Sequence, residues 1–371
     1  ANEAAFAALA WRPRMARPPA PPDLATTVLG TPVSMPVLLA PCGLASLMHP
    51  EGVVGAARAA RDAGTVTVVS TVAGTPLEDV AAEASGPKWF QLYCPGGRDE
   101  AAELIDRAAA ATYEAIVVTV DTNVLGLRER DAHHGIAQPL KVTPRLAAHI
   151  LPQVVARPGY LARYARAALA GRSRKDAPAG GVPATDAGPE APAEPATPTP
   201  TPPAPAPRGG LLPNMLASPF TWDDIAWMRA RWPGPLVVKG VLTGEDAALA
   251  VDAGADAVVV SNHGGRQLDG APATLAVLPE VVEAVGGRAE VLLDGGVRRG
   301  ADALKAVALG ARAVLVGRPY LYGLAAGGRA GVERVLAILR AEMDHALTLL
   351  GCPAVADLDP SYLFSPPKSG A

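Results

Sequence analysis

The segment VVVSNHGGRQLD, residues 258–269, carries the side chains best suited to chemistry. An apolar run stops at His263, two glycines follow, and Arg266 comes three residues after the histidine. An imidazole titrates near neutral pH, so His263 is a candidate general base. A guanidinium matches the two oxygens of a carboxylate, so Arg266 is a candidate substrate clamp. The alternative is a capped turn with a surface arginine.

The segment VTVDTNVLGLRERD supplies charged side chains that complement this pair. Asp121 follows an apolar run and is a candidate for orienting His263 and stabilising its charge. Its alternatives are a helix cap and a surface ion pair. Arg128 is a second carboxylate candidate, whereas we expect its neighbour Arg130 to be solvated. The choice between these arginines rests on the resemblance described below.

Lys239 ends the apolar run LVVK. A buried ammonium costs several kcal/mol unless it meets an anion or an acceptor. A flavin that becomes anionic on reduction would supply that anion, and so would a neighbouring carboxylate. A Schiff base to an aldehyde substrate is the third alternative.

Two segments, LLDGGVRRGADALK and VLVGRPYLYG, have the composition of a phosphate site. Gly295 and Gly296 allow backbone N–H groups to approach a phosphate, and Arg298 and Arg318 can pair with it. No GxGxxG follows the first apolar run, and the chain has no Walker pattern. A Rossmann or P-loop interpretation is therefore poor.

Eight short apolar runs supply the elements that must position these residues. They are rich in Val and Leu without polar alternation, which is typical of buried parallel strands, and Ala-rich helical stretches alternate with them. The runs are residues 37–41, 65–70, 88–93, 115–121, 236–240, 257–262, 290–296 and 313–319. We expect Gly64, Gly254 and Gly310 to end three of the helices. Eight strand–helix repeats predict an α/β fold, the (β/α)8 TIM barrel.

Polar residues stand at the carboxyl ends of nearly all these strands, where barrel enzymes carry their active sites. They are Ser70, Thr71, Gln91, Tyr93, Thr119, Asp121, Lys239, Ser261, Asn262, His263, Asp294 and Arg318. This coincidence is the strongest indication of an active site that the residues give by themselves.

Length and composition set the remaining bounds. The 371 residues fit one domain over 1–371, because barrels run past about 250 residues as single domains. Hydrophobic residues make up 49% and aromatic residues only 4%, so the core is aliphatic. The net charge of −3 gives no reason to expect nucleic acid as a partner.

The three cysteines form no CxxC pair, so they suggest neither a metal site nor a disulfide framework. They suit a reducing compartment, and we expect a cytoplasmic protein. The chain has no run of about 18 apolar residues, so we expect no membrane-spanning helix. Its N-terminus lacks the basic segment followed by an apolar segment that is typical of a signal peptide.

A gap in the repeat pattern predicts an inserted region over residues 143–210, after the fourth strand. Residues 176–208 are almost wholly Pro, Ala, Thr and Gly. They cannot bury enough apolar surface to fold, so we expect disorder. Residues 143–175 are basic and predicted to be helical. We expect a lid there, with a membrane-surface helix as the alternative.

Together these segments resemble the FMN-dependent L-2-hydroxy-acid oxidase and dehydrogenase family, which includes glycolate oxidase, lactate oxidase and mandelate dehydrogenase. The resemblance covers about residues 2–358 outside the Pro/Ala-rich insertion. SNHGGRQLD together with DGGVRRG is highly specific, and LGLRERD with the insertion looks closest to lactate 2-monooxygenase. The segments that carry it are SMPVLLAPCG, MHPEG, KWFQLY, VTVDTNVLGLRERD, LVVKG, VVVSNHGGRQLDG, LLDGGVRRGADALKA and VLVGRP.

The resemblance implies an FMN enzyme that oxidises a small L-2-hydroxy acid to the 2-oxo acid or its decarboxylated product. It implies a homotetramer, with O2 or another carrier as electron acceptor. His263 would be the base and Asp121 its partner. Arg266 and Arg128 would hold the substrate carboxylate, and Tyr93 would hydrogen-bond the hydroxyl.

The resemblance also implies a set of cofactor-binding residues. Lys239 would lie beside flavin N1 and O2, the flavin ring would contact the first to third strand ends and Thr119, and the last two strand ends would hold the ribityl and phosphate groups. The residues are Pro41, Cys42, Gly43, Ser70, Gln91, Thr119, Lys239, Ser261, Asp294, Gly295, Gly296, Arg298, Gly317 and Arg318.

Three features depart from the family pattern. The chain begins after an N-terminal segment whose tyrosine contacts the substrate carboxylate in relatives, which predicts either a fragment of a longer protein or a weaker carboxylate site. Val72 stands near the tryptophan of glycolate oxidases, which predicts a roomier pocket. Gly43 replaces the alanine of many oxidases and is typical of monooxygenases or dehydrogenases, which leaves efficient use of oxygen open.

Two competing hypotheses remain. AVALGARAV, YLYGLAA and AGVERVLAILR resemble the flavoproteins that mature the peptide-derived cofactor mycofactocin. That branch acts on a modified peptide and lacks an arginine equivalent to Arg266, so this hypothesis ranks second. A non-catalytic barrel that binds a phosphate ligand is the third, and the pairing of His263 with Asp121 argues against it.

Overall fold

The protein forms a closed barrel of eight parallel strands, which confirms the predicted TIM barrel. The computed structural model describes residues 1–17, 21–93, 97–124, 126–127, 129, 133, 144–175 and 220–364. In chain order its strands are β1 (Ala10–Trp11), β2 (Thr26–Val28), β3 (Thr31–Val33), β4 (Val37–Leu39), β5 (Thr67–Ser70), β6 (Lys88–Leu92), β7 (Ala115–Thr119), β8 (Leu236–Val241), β9 (Ala257–Val260), β10 (Glu290–Asp294), β11 (Ala313–Val316) and β12 (Leu363–Phe364).

The barrel runs from β4 to β11 in sequence order and closes where β11 pairs with β4. Helices follow the strands on the outside, as the alternation predicts. The helices described are α1 (Asn2–Ala8), α2 (Gly52–Asp62), α3 (Leu77–Glu83), α4 (Arg98–Ala110), α5 (Pro144–Val155), α6 (Pro158–Lys175), α7 (Trp222–Arg231), α8 (Gly244–Asp252), α9 (Thr274–Val285), α10 (Gly300–Ala308) and α11 (Arg318–Leu350), the last interrupted by a kink at Gly327 and Gly328.

The strands form where β-branched and aliphatic residues are buried on both faces. One set of their side chains fills the barrel interior, and the β2–β3 hairpin adds Val28 and Val33 to that cluster. The other set packs against the helices. Aliphatic packing therefore fixes the strand ends that carry the polar residues.

The structure corrects the predicted boundaries. Most of the predicted strands run one to three residues too long, because hydrogen-bonded loop residues continue the apolar pattern. Asp121 accordingly follows β7 and does not lie on it. The predicted helical stretch 143–175 is two helices, α5 and α6, because the residue before Pro158 disfavours helical backbone.

The predicted disordered segment, residues 176–208, lies outside the described residues, and the domain boundaries stay a prediction. Within the residues that the structure describes, no helix is long and apolar enough to cross a membrane.

Candidate active site

The loops after β9 and β7 bring His263 and Asp121 together. His263 Nδ1 and Asp121 Oδ1 lie 2.9 Å apart, and the two side chains are only 15% and 10% exposed. With the carboxylate accepting the Nδ1 proton, Nε2 remains the basic nitrogen. The structure thus places the predicted pair in contact, and its catalytic role stays a prediction.

The backbone at His263 is unusual. Its φ of +56° lies in the left-handed region, which costs a non-glycine residue free energy unless the surroundings enforce it. Ser261 Oγ accepts the His263 N–H at 3.1 Å, and Asn262 Oδ1 accepts the Gly265 N–H at 3.0 Å. These two bonds hold the turn that directs the imidazole toward Asp121.

Asp121 is ionised in spite of its burial. Burial acts to raise the pKa of this carboxyl, but the Lys239 ammonium and the hydrogen bond with His263 hold that pKa below its ordinary value. Gly240 makes room beside it, because a Cβ at Gly240 would lie 2.7 Å from Asp121 Cβ. The permanent negative charge of Asp121 stabilises positive charge on the neighbouring imidazole.

Lys239 lies at the centre of a buried polar cluster. Its Nζ is 3.0 Å from Asp294 Oδ2 and donates to Ser261 Oγ at 2.9 Å, and the lysine side chain is 5% exposed. Burial opposes the ammonium charge, but the carboxylates of Asp294 and Asp121 raise the pKa of Lys239 above its usual value. The carboxylate partner considered from the sequence is therefore present, and it does not exclude an additional anion.

Cys42 follows β4 and lies within electrostatic range of several predicted charged groups. Burial raises the pKa of its thiol, and the charges of Arg266, Lys239 and Asp294 all act on this sulfur. A Cβ at Gly317 would lie 3.5 Å from Cys42 Sγ, so the loops after β4 and β11 also meet here. Arg266 is exposed, and within the described residues no carboxylate forms an ion pair with it.

The two arginines of the predicted phosphate site already have partners within the protein. Arg298 pairs with Glu3 Oε1 at 2.9 Å, and Arg318 donates to the Gly264 carbonyl at 2.9 Å. Gly295 and Gly296 have φ values of +91° and +89°. Both face Asn2, and a Cβ at either glycine would lie 2.7 Å from an Asn2 atom. Besides the approach of a phosphate to the backbone, the close packing of α1 therefore also requires glycine at these two positions.

The remaining predicted residues divide into three groups. Tyr93 follows β6, its N–H donates to Thr71 Oγ1 at 3.2 Å, and its phenol acts electrostatically on Lys239. Gly43, which follows Pro41 and Cys42 after β4, packs closely on Val72: a Cβ there would lie 2.9 Å from Val72 Cγ2. Arg128 lies outside the described residues.

Comparison with known proteins assigns this arrangement to a family. Residues 1–365 match the model of the FMN-dependent dehydrogenase family. The chain belongs to that family. As in the family description, FMN is the cofactor of this enzyme, and the prediction from the sequence is confirmed at that level.

Several relatives in this family are similar to the chain over nearly its whole length. L-lactate oxidase of Nostoc sp. (strain PCC 7120 / SAG 25.82 / UTEX 2576) is 42% identical over 98% of this chain and 88% of its own. Pre-mycofactocin synthase of Mycobacterium tuberculosis (strain ATCC 25618 / H37Rv) is 42% identical over 98% and 86%. A crystal structure of the monotopic membrane protein (S)-mandelate dehydrogenase, 34% identical, superposes with a TM-score of 0.81 over 98% and 90%.

The mouth of the barrel fits FMN by its unsatisfied polar atoms. Six buried side-chain atoms of the described residues have no hydrogen-bond partner, and three of them are Gln91 Nε2, Thr119 Oγ1 and Asp294 Oδ1. Such atoms are costly unless a ligand or water satisfies them. All three belong to the predicted cofactor set, and Ser70 Oγ fixes the Gln91 amide by donating to its Oε1 at 2.9 Å.

Sequence reasoning missed Asn2, because no local pattern distinguishes it. Asn2 and Asn262 exchange two amide hydrogen bonds, of 2.8 and 2.9 Å, and Asn2 Oδ1 also accepts the Thr274 N–H at 3.2 Å. Helix α1 therefore supports the turn that carries His263. Only the contact in space, 260 residues apart along the chain, reveals this role.

Replacing Asn2 by leucine is expected to lower the free energy of unfolding by about 1–3 kcal/mol, because it leaves one N–H of the Asn262 amide and the Thr274 N–H without their acceptor, Asn2 Oδ1. Urea unfolding monitored by circular dichroism measures this change. Glu3→Ala is the matched control, since it removes only an exposed ion pair with Arg298 and should cost about 0–1 kcal/mol. Equal effects of the two variants would contradict the support assigned to Asn2.

Proposed function

We propose that this enzyme oxidises the α-carbon of a small L-2-hydroxy acid to give the 2-oxo acid or its decarboxylated product. One observation carries the proposal: the buried pair of His263 and Asp121 is in contact at 2.9 Å, and Arg266, which matches a carboxylate, follows His263 by three residues in the same loop. The relatives named lactate oxidase and mandelate dehydrogenase support this substrate class.

In the proposed mechanism the chain binds, orients and deprotonates the substrate. Arg266 holds the carboxylate, with Arg128 as a second candidate, and Tyr93 hydrogen-bonds the hydroxyl. The Nε2 atom of His263 takes a proton from the substrate while Asp121 stabilises the resulting imidazolium. The oxidation releases two electrons and two protons, and FMN, when bound, supplies the electron acceptor.

Lys239 has the complementary task of stabilising negative charge. Its ammonium is fixed by Asp294 and Ser261, so it needs no reorganisation to meet charge that builds up beside it. The unsatisfied atoms of Gln91 and Thr119 would hold the flavin ring, and Asp294 Oδ1 the ribityl group.

Anaerobic flavin reduction tests the proposal. The purified holoenzyme is mixed without oxygen with L-lactate, glycolate or (S)-mandelate, and flavin absorbance is followed. We expect bleaching by at least one of these acids and recovery of absorbance when air is admitted. If none of them bleaches the flavin, the proposed substrate class is wrong. Product analysis then separates an oxidase, which releases the 2-oxo acid, from a monooxygenase, which releases its decarboxylated product.

Arg266→Lys is expected to raise the apparent Kd of the hydroxy acid about 10- to 100-fold, since one charge-assisted hydrogen bond contributes roughly 1.5–3 kcal/mol. Lysine keeps the charge but loses the two-pronged geometry. The apparent Kd comes from the dependence of the reduction rate on substrate concentration. Arg231→Lys on α7, which precedes β8 at the opposite end of the barrel, is the control and should bind substrate normally.

A second candidate function is maturation of a mycofactocin-type peptide, favoured by the 42% identity to pre-mycofactocin synthase. Arg266 ranks it below the first, because the mycofactocin-maturing branch lacks an arginine equivalent to this residue. Reduction of the flavin by a peptide and by none of the free acids would reverse the ranking.

We further propose a cytoplasmic homotetramer that passes its electrons to O2 or another carrier. The family resemblance supports the tetramer, and the unpaired cysteines Cys42 and Cys352 suit a reducing compartment. Light scattering on the holoenzyme should give a mass near four times 37.8 kDa. A monomer or dimer mass would contradict the tetramer.

A further inference from the structure

The side chain of Gln267 joins the two loops that carry the proposed catalytic pair. Its Nε2 donates to the carbonyl oxygens of Asp121, at 2.7 Å, and Val124, at 2.9 Å. Its Oε1 accepts the Gly126 N–H at 3.2 Å. One amide thus satisfies three backbone groups of the loop that follows β7, although it belongs to the loop that follows β9.

The two loops approach each other so closely that only glycine fits at position 126. A Cβ at Gly126 would collide with the backbone carbonyl of Arg266. The close approach lets the short side chain of Gln267 reach across. A glutamine is also the one residue type of this length that offers two N–H donors and a carbonyl acceptor together.

We infer that Gln267 is a positioning residue that keeps Asp121 against His263. The inference rests on the proposed function. Asp121 has its carboxylate on His263 and its carbonyl on Gln267, so this residue is held at both ends. Loss of the Gln267 bonds frees the loop after β7 to move, and a displacement of about 1 Å lowers catalysis by as much as about 10²-fold.

Two substitutions distinguish the hydrogen bonds that Gln267 donates from the one that it accepts. Gln267→Met keeps the length and removes all three hydrogen bonds. Gln267→Glu keeps an oxygen for the Gly126 N–H but sets a carboxylate against the carbonyls of Asp121 and Val124, which repels them. We expect both variants to reduce their flavin about 10- to 100-fold more slowly at saturating hydroxy acid, with normal flavin content.

Separate measurement of the limiting reduction rate and of the apparent substrate Kd distinguishes this role from an effect on the neighbouring Arg266. A displaced Asp121 lowers the limiting rate of anaerobic reduction and leaves the apparent Kd of the substrate within about twofold. A displaced Arg266 raises the Kd instead. Leu268→Ala, at a side chain 77% exposed, is the matched control and should change neither quantity.

A double-mutant cycle gives the decisive result. In an Asp121→Asn background the substitution Gln267→Met should change the limiting rate by less than about twofold, because the group it positions is already lost. The same loss of rate in both backgrounds, or an unchanged rate in the single variants, would overturn the inference. A wild-type enzyme that no hydroxy acid reduces would instead count against the proposed function itself.

Discussion

A His263→Ala enzyme is expected to bind FMN normally and to be reduced by the hydroxy acid about 10³-fold more slowly than the parent. In the proposed mechanism the imidazole takes the substrate proton, and its Nδ1 is the group hydrogen-bonded to Asp121 Oδ1. Flavin content comes from the visible spectrum of the purified protein, and the rate comes from anaerobic stopped-flow mixing.

His345 provides a matched control for this substitution. It lies on α11, exposed to solvent and outside the barrel mouth, so His345→Ala should be reduced at the parental rate. Reduction of the His263→Ala flavin at that same rate would refute the base assignment. Loss of flavin from this variant would show that the residue serves the cofactor instead.

Lys239→Met is expected to lower the free energy of unfolding of the flavin-free protein by about 3–5 kcal/mol, because it leaves the buried Asp294 carboxylate without its ammonium partner. Chemical denaturation at neutral pH measures this loss. The raised pKa of Lys239 means that its contribution is fully present below about pH 10.5, its unfolded pKa, and is lost as pH rises from there through the higher folded pKa.

The double variant Lys239→Met/Asp294→Leu tests the physical reason for that loss. Replacing both partners of a buried pair by apolar groups removes the unpaired charge, so much of the stability should return. It should nevertheless bind and reduce flavin poorly, since both polar groups are gone. If the double variant is as unstable as Lys239→Met alone, the unpaired carboxylate is not the cause.

The barrel could be predicted because buried parallel strands are apolar over their whole length and each is followed by a helical stretch. The site could be located because His263, Lys239 and Asp294 interrupt that apolar pattern at strand ends. Most of the predicted strands extend past the observed carboxyl end, as at Asp121. The reason is that loop residues buried at the barrel mouth are also apolar or hydrogen-bonded.

The supporting contacts could not be predicted, because no local pattern encodes a partner. Lys239 is an example. The sequence indicates that a buried ammonium needs an acceptor, but only the closed barrel shows that the acceptor is the Asp294 carboxylate. Asn2 and Gln267 read as ordinary polar residues in the sequence. Their roles arise from amide bonds to distant backbone and side-chain groups, which depend on how close the loops come in space.

The amide exchange between Asn2 and Asn262 has a consequence for biosynthesis. At ordinary translation speeds, about 5–20 residues per second, the second asparagine is made roughly 13 to 50 s after the first. Throughout that interval helix α1 has no final docking place on the ribosome-bound protein. Shortened translation products that stop before residue 262 should therefore leave this helix undocked and open to proteases, which ties its protection to synthesis beyond that residue.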